Sequence, residues 1–222
     1  PHAPYTLEPE TLKAVRALAN KYDVPMLIHL SETKDEQQQI DARYHMTPTA
    51  FLESLGVWNG KSVAAHGVWV NERDMAILAQ RGVGLSHNPE SNMKLASGTA
   101  LVPQWLKAGI HTGLGTDGAA SNNDLDMFEA MRQTAFLHKL ATMDPRAMPA
   151  PLVLDLATRG GAEALGMGQL IGSLEVGKQA DVITVAMDGA RQTPVFDPIA
   201  QLVYVSRGDD VRTTVVAGKV LQ

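Results

Sequence analysis

The chain has 222 residues, of which 45% are hydrophobic, so it is long enough to bury one sizeable core. Its net charge of -5 gives no sign of the basic surface that binds nucleic acid or anionic membranes. Cysteine is absent, which excludes disulfides and thiolate metal ligands, so any metal must be held by histidine and carboxylate side chains.

Short apolar runs and helical patterns alternate over residues 1–171. The runs that predict buried strands are 26–29, 62–66, 83–87 and 110–115. The segments whose 3.6-residue periodicity and capping residues predict helices are 8–22, 47–55, 71–80, 101–108 and 124–140. The polar stretch 31–44 receives no assignment. Four strand–helix units cannot close an eight-stranded barrel, so the chain is either half of a larger barrel or a doubly wound open sheet.

The character of the sequence changes after about Gly172. Short β segments, separated by Gly, Asp and Pro turns, are predicted at 174–178, 180–185, 203–205 and 213–220. This part carries no acid/base cluster of its own. It is interpreted as the edge of a small accessory β-domain.

Candidate functional residues stand at the ends of the predicted strands. His29 ends the first run and Glu32 follows three residues later, His66 ends the second run, and Asp117 ends the fourth. His87 ends the third. Because the carboxyl ends of parallel barrel strands open onto one face, these side chains are expected to converge there. Two histidines with a glutamate and an aspartate suggest metal-assisted hydrolysis.

Each candidate also has a structural interpretation. A lone histidine at a strand end is more often a hydrogen-bonded structural residue than a metal ligand. Asp117 could be a helix N-cap or a turn residue, and Glu32 could form an ion pair with a nearby Arg or Lys. The remaining histidines without supporting context are interpreted as structural or surface residues: His45, His111 and His138.

Four segments, in this order, resemble barrel strands five to eight of the amidohydrolase superfamily. They are His29-Leu30-Ser31-Glu32, Ala65-His66-Gly67-Val68-Trp69, Ser86-His87-Asn88-Pro89-Glu90-Ser91-Asn92-Met93-Lys94-Leu95 and Gly115-Thr116-Asp117-Gly118-Ala119-Ala120-Ser121-Asn122-Asn123. The set is most similar to the 5-methylthioadenosine/S-adenosylhomocysteine deaminases and their chlorohydrolase and guanine deaminase relatives. Residues 1–6 resemble the loop after strand four, and residues 172–181 resemble the return into the family's composite β-domain.

The resemblance implies an α/β fold, namely the C-terminal half of a metal-dependent (β/α)8 TIM barrel in residues 1–171. Residues 172–222 would then be the C-terminal part of the composite β-domain. The resemblance also implies one divalent metal, zinc with Fe²⁺ as the alternative, held by His29 and Asp117. The two further ligands would come from a His-x-His pair that occurs nowhere in this sequence.

The same resemblance implies a role for each site residue. Glu32 would protonate a ring nitrogen of the substrate, Asp117 would act as base as well as ligand, and His66 would hydrogen-bond the attacking hydroxide and the tetrahedral intermediate. The catalytic set is therefore Glu32, His66 and Asp117. Substrate binding is assigned to His2, Glu32 and Asp117.

The implied activity of the intact enzyme is the deamination of 5-methylthioadenosine or S-adenosylhomocysteine to an inosine-type product and ammonia. The alternatives are a guanine deaminase or triazine chlorohydrolase reaction, or an inactive half-barrel that lacks the His-x-His pair. The expected partners are a small nucleoside substrate, the N-terminal half and further copies of the intact enzyme. Neither nucleic acid nor membrane is expected as a partner. No apolar run long enough to cross a bilayer and no leader are visible, so a cytoplasmic location is expected.

Overall fold

A four-stranded parallel sheet organises the first part of the chain in a computed structural model, which describes residues 1–221. The strands are β1 Met26–Leu30, β2 Ser62–His66, β3 Gly84–His87 and β4 Thr112–Leu114. They are hydrogen-bonded in the order β1-β2-β3-β4, without reversal, and Met26 pairs with Ser62 at the start of the register. The four strands predicted from the sequence are therefore confirmed, and β1 and β4 are the two edges of the sheet.

Helices follow and separate these strands. Their bounds are α1 Pro9–Lys21, α2 Lys34–Tyr44, α3 Pro48–Ser54, α4 Glu72–Arg81, α5 Pro89–Lys94, α6 Val102–Lys107, α7 Ala119–Asn122, α8 Met127–Thr142, α9 Ala150–Asp155 and α10 Gly161–Ala164. A π-helical turn over Leu156–Gly160 joins α9 to α10. The five predicted helices are confirmed as α1, α3, α4, α6 and α8. The sequence pattern did not indicate the others.

Local capping explains where several helices begin. The Asn71 side chain accepts hydrogen bonds from Arg73 N and Asp74 N, and the Asp74 carboxylate accepts from Asn71 N, which completes a capping box at α4. Gly82 ends that helix in a left-handed conformation. In α2, which the sequence left unassigned, Thr33 caps the first turn by accepting from Glu36 N. The low apolar content of α2 conceals its helical period, which is why the sequence pattern did not indicate this helix.

Several helices pack against one face of the parallel sheet. Met26, Ile28 and Leu30 of β1 are buried against them, whereas Leu27, which alternates to the other face, is 54% exposed. Helix α10 approaches the sheet closely, since a Cβ added at Gly84 would lie 2.1 Å from the Ala164 carbonyl oxygen. Because Gly84 shares a face with Leu27 through the register of β1, β2 and β3, α10 covers part of the Leu27 face, while the main core lies on the Met26 face.

The tail forms a separate antiparallel sheet. Its strands are β5 Val182–Val185, β6 Val211–Val216 and β7 Lys219–Val220, in that order. The predicted strand at 203–205 is wrong, because Asp197 and Pro198 begin a helix, α11 Pro198–Tyr204. The predicted strand at 174–178 is also wrong. The chain turns there, with Lys178 N donating to the Glu175 carbonyl and Gly177 at φ +95°.

Helix α11 ties the tail to the parallel part of the fold. Arg132 on α8 donates to the backbone carbonyls of Tyr204 (3.0 Å) and Ser206 (2.9 Å). The rings of Phe136 and Tyr204 stack with centroids 5.5 Å apart. The segment that the sequence suggested as a strand is therefore the helical anchor of the tail.

Within residues 1–221, no helix combines the length and the apolar composition needed to span a bilayer.

Candidate metal centre and active site

The predicted site residues meet at the carboxyl edge of the parallel sheet. His29 is the fourth residue of β1 and Glu32 lies two residues beyond its end, His66 is the last residue of β2, and Asp117 follows β4. His66 Nε2 lies 3.8 Å from Glu32 Oε2 and 3.9 Å from Asp117 Oδ2. Residues that are 85 positions apart in the chain (32 to 117) therefore face one another. The parallel order makes this possible, because all strand ends share one edge.

The backbone is strained at the same edge. Ser31, His66 and Asp117 adopt the left-handed conformation, with φ of +51°, +76° and +63°. Each such non-glycine residue costs on the order of 1–3 kcal/mol and persists where its surroundings hold it, which is common at functional sites. The strain turns the chain sharply at three of the four strand ends. It thereby directs the following side chains across the mouth of the sheet.

His66 has one ring nitrogen engaged and one free. Its side chain is fully buried, and Nδ1 lies 2.9 Å from Asn92 Oδ1. Because an amide oxygen can only accept, Nδ1 carries the proton, and in the neutral ring Nε2 keeps a lone pair. Nε2 is buried without a hydrogen-bond partner among the residues that the structure describes. A buried lone pair that faces two carboxylates calls for a cation or a proton donor between them.

His29 is held in the same tautomer. Its Nδ1 lies 2.8 Å from the backbone carbonyl of His2, which can only accept, so Nδ1 donates and Nε2 remains available. Metal-binding histidines typically donate their other ring nitrogen in this way, which fixes ring orientation and tautomer. The rings of His29 and His66 stack with centroids 5.4 Å apart. The ring of His2 lies 4.9 Å from that of His29, at the exposed rim of the site.

The surroundings of Asp117 favour its ionised form. Partial burial raises the pKa of its carboxyl, but hydrogen bonds from Ser91 Oγ (2.6 Å to Oδ2) and Gly118 N (2.8 Å to Oδ1), with His66 nearby, bring the pKa below its ordinary value. An ionised carboxylate is the form that binds a metal ion or accepts a proton. Asp117 can therefore serve as ligand or base at neutral pH.

The donor set fits a divalent metal. One ligand atom each from His29, His66 and Asp117 lies within 4.8 Å of the other two. Imidazole nitrogens and carboxylate oxygens are the donors that bind zinc and Fe²⁺ at sites without cysteine ligands. The sequence assigned only His29 and Asp117 to the metal and gave His66 a hydrogen-bonding role. In the structure His66 is close enough for either role, and its free Nε2 is the atom that faces the centre.

Glu36 is a buried acid that the sequence did not single out. Its carboxylate accepts hydrogen bonds from the backbone N–H groups of Ser31 and Glu32, both at 2.8 Å. Burial raises the pKa of Glu36 to about 7, although these two hydrogen bonds work in the opposite direction. Glu36 therefore fixes the turn that presents Glu32. The signal in the sequence was a capping threonine followed three residues later by glutamate, a capping-box pattern at the start of α2.

His87, although at a strand end, does not join the cluster. It is fully buried and its Nε2 lies 3.2 Å from Nε2 of His138 on α8. Burial, with His138 and His66 nearby, lowers the pKa of His87 well below its usual range, and burial lowers the pKa of His138 to about 4. His138, interpreted from sequence as structural or surface, is structural. His45 and His111 lie at the surface, and His111 is 3.4 Å from Glu163.

The buried His87–His138 pair predicts a loss of stability in acid. Both rings are neutral when folded but protonate below pH 6.5 when unfolded, so their contribution is complete above pH 6.5 and declines as pH falls towards 4. For His138 alone, the shift corresponds to about 3 kcal/mol at full extent and about 2 kcal/mol at pH 5. Urea unfolding at pH 7.5 and pH 5 measures it. His138→Gln should show a smaller difference between the two pH values, and an unchanged difference would contradict the prediction.

Comparison with known proteins identifies the family to which the chain is similar. A family model described as the amidohydrolase family matches residues 1–221. A 5-methylthioadenosine/S-adenosylhomocysteine deaminase of Syntrophobacter fumaroxidans is 51% identical over 221 residues, which cover 100% of this chain and 50% of that protein. The chain spans about half the length of the curated relatives it matches.

Two solved structures with zinc share the fold. An adenosine deaminase from Xanthomonas campestris with bound zinc superposes with a TM-score of 0.95 at 41% identity, over 99% of this chain and 50% of that one. An atrazine chlorohydrolase from Arthrobacter aurescens, complexed with zinc, gives a TM-score of 0.88 at 32% identity, over 96% of this chain and 47% of that one.

Proposed function

The chain belongs to the amidohydrolase family, and from that premise we propose that its strand-end cluster is part of the active site of a metal-dependent hydrolytic deaminase. The observation that carries the proposal is the convergence of Glu32 and Asp117 on the free Nε2 of His66. A proton donor, a proton acceptor and a free imidazole nitrogen within one small space suit hydrolytic deamination.

We propose that residues 1–171 are barrel strands five to eight with their helices, and that residues 172–222 are the C-terminal part of an accessory β-domain. The strand order β1-β2-β3-β4 supports the half-barrel, because a doubly wound sheet reverses its order at a switch point. Successive right-handed crossovers place the connecting helices on one face, as in a barrel. The exposed Leu27 then belongs to the barrel interior that the other four strands would close.

The proposed cofactor is one divalent metal, zinc in the first instance and Fe²⁺ as the alternative. His29 and Asp117 would hold it together with a His-x-His pair from the N-terminal half. When bound, the metal supplies Lewis-acid activation of water at neutral pH. The chemistry of the donors supports this assignment, since His29 offers an Nε2 lone pair and Asp117 an ionised oxygen.

Asp117 and Glu32 divide the proton transfers. Asp117 takes a proton from the attacking water as the new C–O bond forms at the amino-bearing ring carbon. Glu32 donates a proton to the adjacent ring nitrogen, which makes that carbon electrophilic. Asp117 then returns its proton to the amino group, the C–N bond breaks and ammonia leaves, while the proton of the added hydroxyl passes to Glu32 as the C=O bond of the product forms, which restores both carboxyl groups. Both carboxylates lie within 3.9 Å of His66 Nε2, which suits two transfers on one substrate.

His66 and His2 have supporting roles in this proposal. His66 Nε2, which keeps a lone pair, accepts a hydrogen bond from the attacking water and orients it. His2 lies at the exposed rim, with its ring against His29, and is placed to contact the sugar or base of the substrate. The orientation of Glu32 is set by Glu36 through the backbone of the turn.

The proposed substrates of the intact enzyme are 5-methylthioadenosine and S-adenosylhomocysteine, each converted to an inosine-type product. The name of the 51% identical relative and the Ala119–Asn123 segment support an adenosine-type substrate. A triazine chlorohydrolase reaction is the second candidate, because one zinc-bound structural neighbour at 32% identity is an atrazine chlorohydrolase.

A substrate panel tests the function. The intact enzyme, defined as this chain together with the segment that supplies the other strands, is loaded with zinc and given 5-methylthioadenosine, S-adenosylhomocysteine, guanine and a chlorotriazine. We expect ammonia from the two nucleosides with a kcat/KM at least about tenfold above that for guanine, which is 1.4 kcal/mol of discrimination. Chloride from the triazine without ammonia from either nucleoside would replace the proposal with the chlorohydrolase reaction.

A further inference from the structure

Two adjacent residues on the short helix α5 each hold one reacting side chain. Ser91 Oγ donates to Asp117 Oδ2 at 2.6 Å, and Asn92 Oδ1 accepts from His66 Nδ1 at 2.9 Å. Both Ser91 and Asn92 are fully buried. The two side chains that they hold come from β2 and from the loop after β4, on either side of β3. A single rigid element thus reaches both partners at once.

We propose that Ser91 and Asn92 act as a positioning clamp that fixes the tautomer of His66 and the rotamer of Asp117 in the deaminase site. This inference rests on the proposed function, in which these two side chains act on the attacking water. Ser91 and Asn92 themselves touch neither the water nor the substrate, so they act through the residues that they hold.

Asn92 decides which nitrogen of His66 is available. With an acceptor on Nδ1, the proton of the neutral ring stays there, and the lone pair is left on Nε2, which faces Glu32 and Asp117. Without that acceptor, the proton can move to Nε2, where the two carboxylates would accept it. His66 would then present a donor where the reaction needs an acceptor. A hydrogen bond outside the site therefore selects the form of the ring inside it.

Ser91 acts on the other partner. Asp117 Oδ1 is already held by Gly118 N at 2.8 Å, and Ser91 fixes Oδ2, the oxygen nearer to His66. With both oxygens held, the carboxylate plane cannot rotate. Removing Ser91 Oγ takes away the hydrogen bond to Oδ2, which would weaken both metal binding and proton transfer.

Helix α5 is itself fastened to the loop that carries Asp117. Lys94 Nζ donates to the Ala120 carbonyl at 2.9 Å, and Glu90 accepts from Asn122 Nδ2 at 2.9 Å. Ser97 N donates to the Asn92 carbonyl at 2.9 Å and closes the other end. The clamp residues are therefore held on a rigid support, which is the requirement for precise positioning.

The Ser91 arm is tested with a matched pair of single-oxygen deletions. Ser91→Ala removes the hydrogen bond to Asp117, whereas Ser97→Ala removes a buried hydroxyl that has no partner among residues 1–221. In the intact enzyme we expect Ser91→Ala to weaken zinc binding and lower kcat by about 10–100-fold with little change in KM, as loss of such a supporting contact usually does. Ser97→Ala should match the wild type. Equal behaviour of the two variants would overturn the proposal.

The role of Asn92 is tested by measuring the tautomer of the His66 ring, which needs no substrate. Long-range ¹H–¹⁵N spectra of the zinc-loaded enzyme should show His66 protonated on Nδ1. We expect Asn92→Leu, which removes the acceptor at similar volume, to move the proton to Nε2, and Asn92→Asp, which keeps an oxygen there, to retain it on Nδ1. An unchanged tautomer in Asn92→Leu would overturn the clamp. If Asn92→Leu does not fold, loss of the Nδ1 proton from the His66 ring in the Asn92→Asp variant overturns the clamp equally.

The two proposals fail separately. An enzyme that deaminates neither nucleoside contradicts the proposed function, while the zinc affinities and the His66 tautomer still report on the clamp. A functional deaminase whose Ser91→Ala and Asn92→Leu variants keep wild-type zinc affinity and tautomer contradicts the clamp alone.

Discussion

Replacement of Glu32 by glutamine is expected to lower the kcat of the intact enzyme by about 10²–10⁴-fold, the usual contribution of a positioned general acid. Glutamine keeps the shape of the side chain but cannot transfer a carboxylic proton to the ring nitrogen. Zinc content should stay near that of the wild type, because Glu32 is proposed as a proton donor and not as a metal ligand. Its Oε2 lies 3.8 Å from His66 Nε2. Metal analysis beside steady-state kinetics measures both quantities.

Glu72→Gln is the matched control, since it makes the same chemical change at an exposed position in the first turn of α4. It should leave both kcat and zinc content unchanged. Loss of zinc from Glu32→Gln would show that Glu32 is a metal ligand. Unchanged turnover would show that it is not the acid.

The second large effect concerns the 222-residue chain by itself. We expect it to release no measurable ammonia from 5-methylthioadenosine, to bind zinc weakly and to self-associate. Within residues 1–221 the site offers three converging ligand atoms, and the sequence has no His-x-His pair to complete a four-coordinate centre. Both sheet edges, β1 and β4, are also unpaired in this sheet.

An apolar groove beside β1 adds to the tendency to self-associate. It encloses about 750 Å³ and its lining includes Leu18, Tyr22, Val24 and Leu27, whose side chains are about half exposed or more. Light scattering of the purified chain, a zinc titration and an ammonia assay measure the three properties. Robust turnover by a monomeric, homogeneous chain would contradict the half-site argument.

A charge placed in the groove tests whether self-association of the chain comes from this exposed groove or from general instability. Leu18→Glu should reduce self-association of the chain and weaken its complementation by the N-terminal half. Gln104→Glu, which adds the same charge on the exposed face of α6, should change neither. If both variants behave as the wild type, the groove takes no part in association.

The strands and their end residues were predictable because they depend on local sequence. Each of the four parallel strands is a short apolar run, and each lies within two residues of its predicted position. The tail was less predictable, since the run at 203–205 is β-branched and aromatic but forms the end of α11 and its C-cap, Val205. There the Asp197–Pro198 cap and the burial of Val203 outweigh the local preference for a strand.

Among the site residues, the sequence placed His29, Glu32, His66 and Asp117 at one edge but left out the residues that support them. Glu36 was hidden in a polar stretch with almost no apolar period, and its burial against the turn after β1 appears only in the folded structure. His87 had the same strand-end position as His66, yet it turns towards His138 on α8. The same position in a strand thus led to two different surroundings.

The sequence by itself determined the order of the four parallel strands, the absence of thiolate ligands and the identity of the residues at the strand ends. These features follow from residue type and from periods of two to four residues, which act over short distances along the chain. Only the tertiary structure decided that Asn92 meets His66 and that Ser91 meets Asp117, each pair 26 positions apart. Such pairs depend on strand register, helix placement and side-chain rotamers, which are fixed when the whole core packs and which no local pattern encodes.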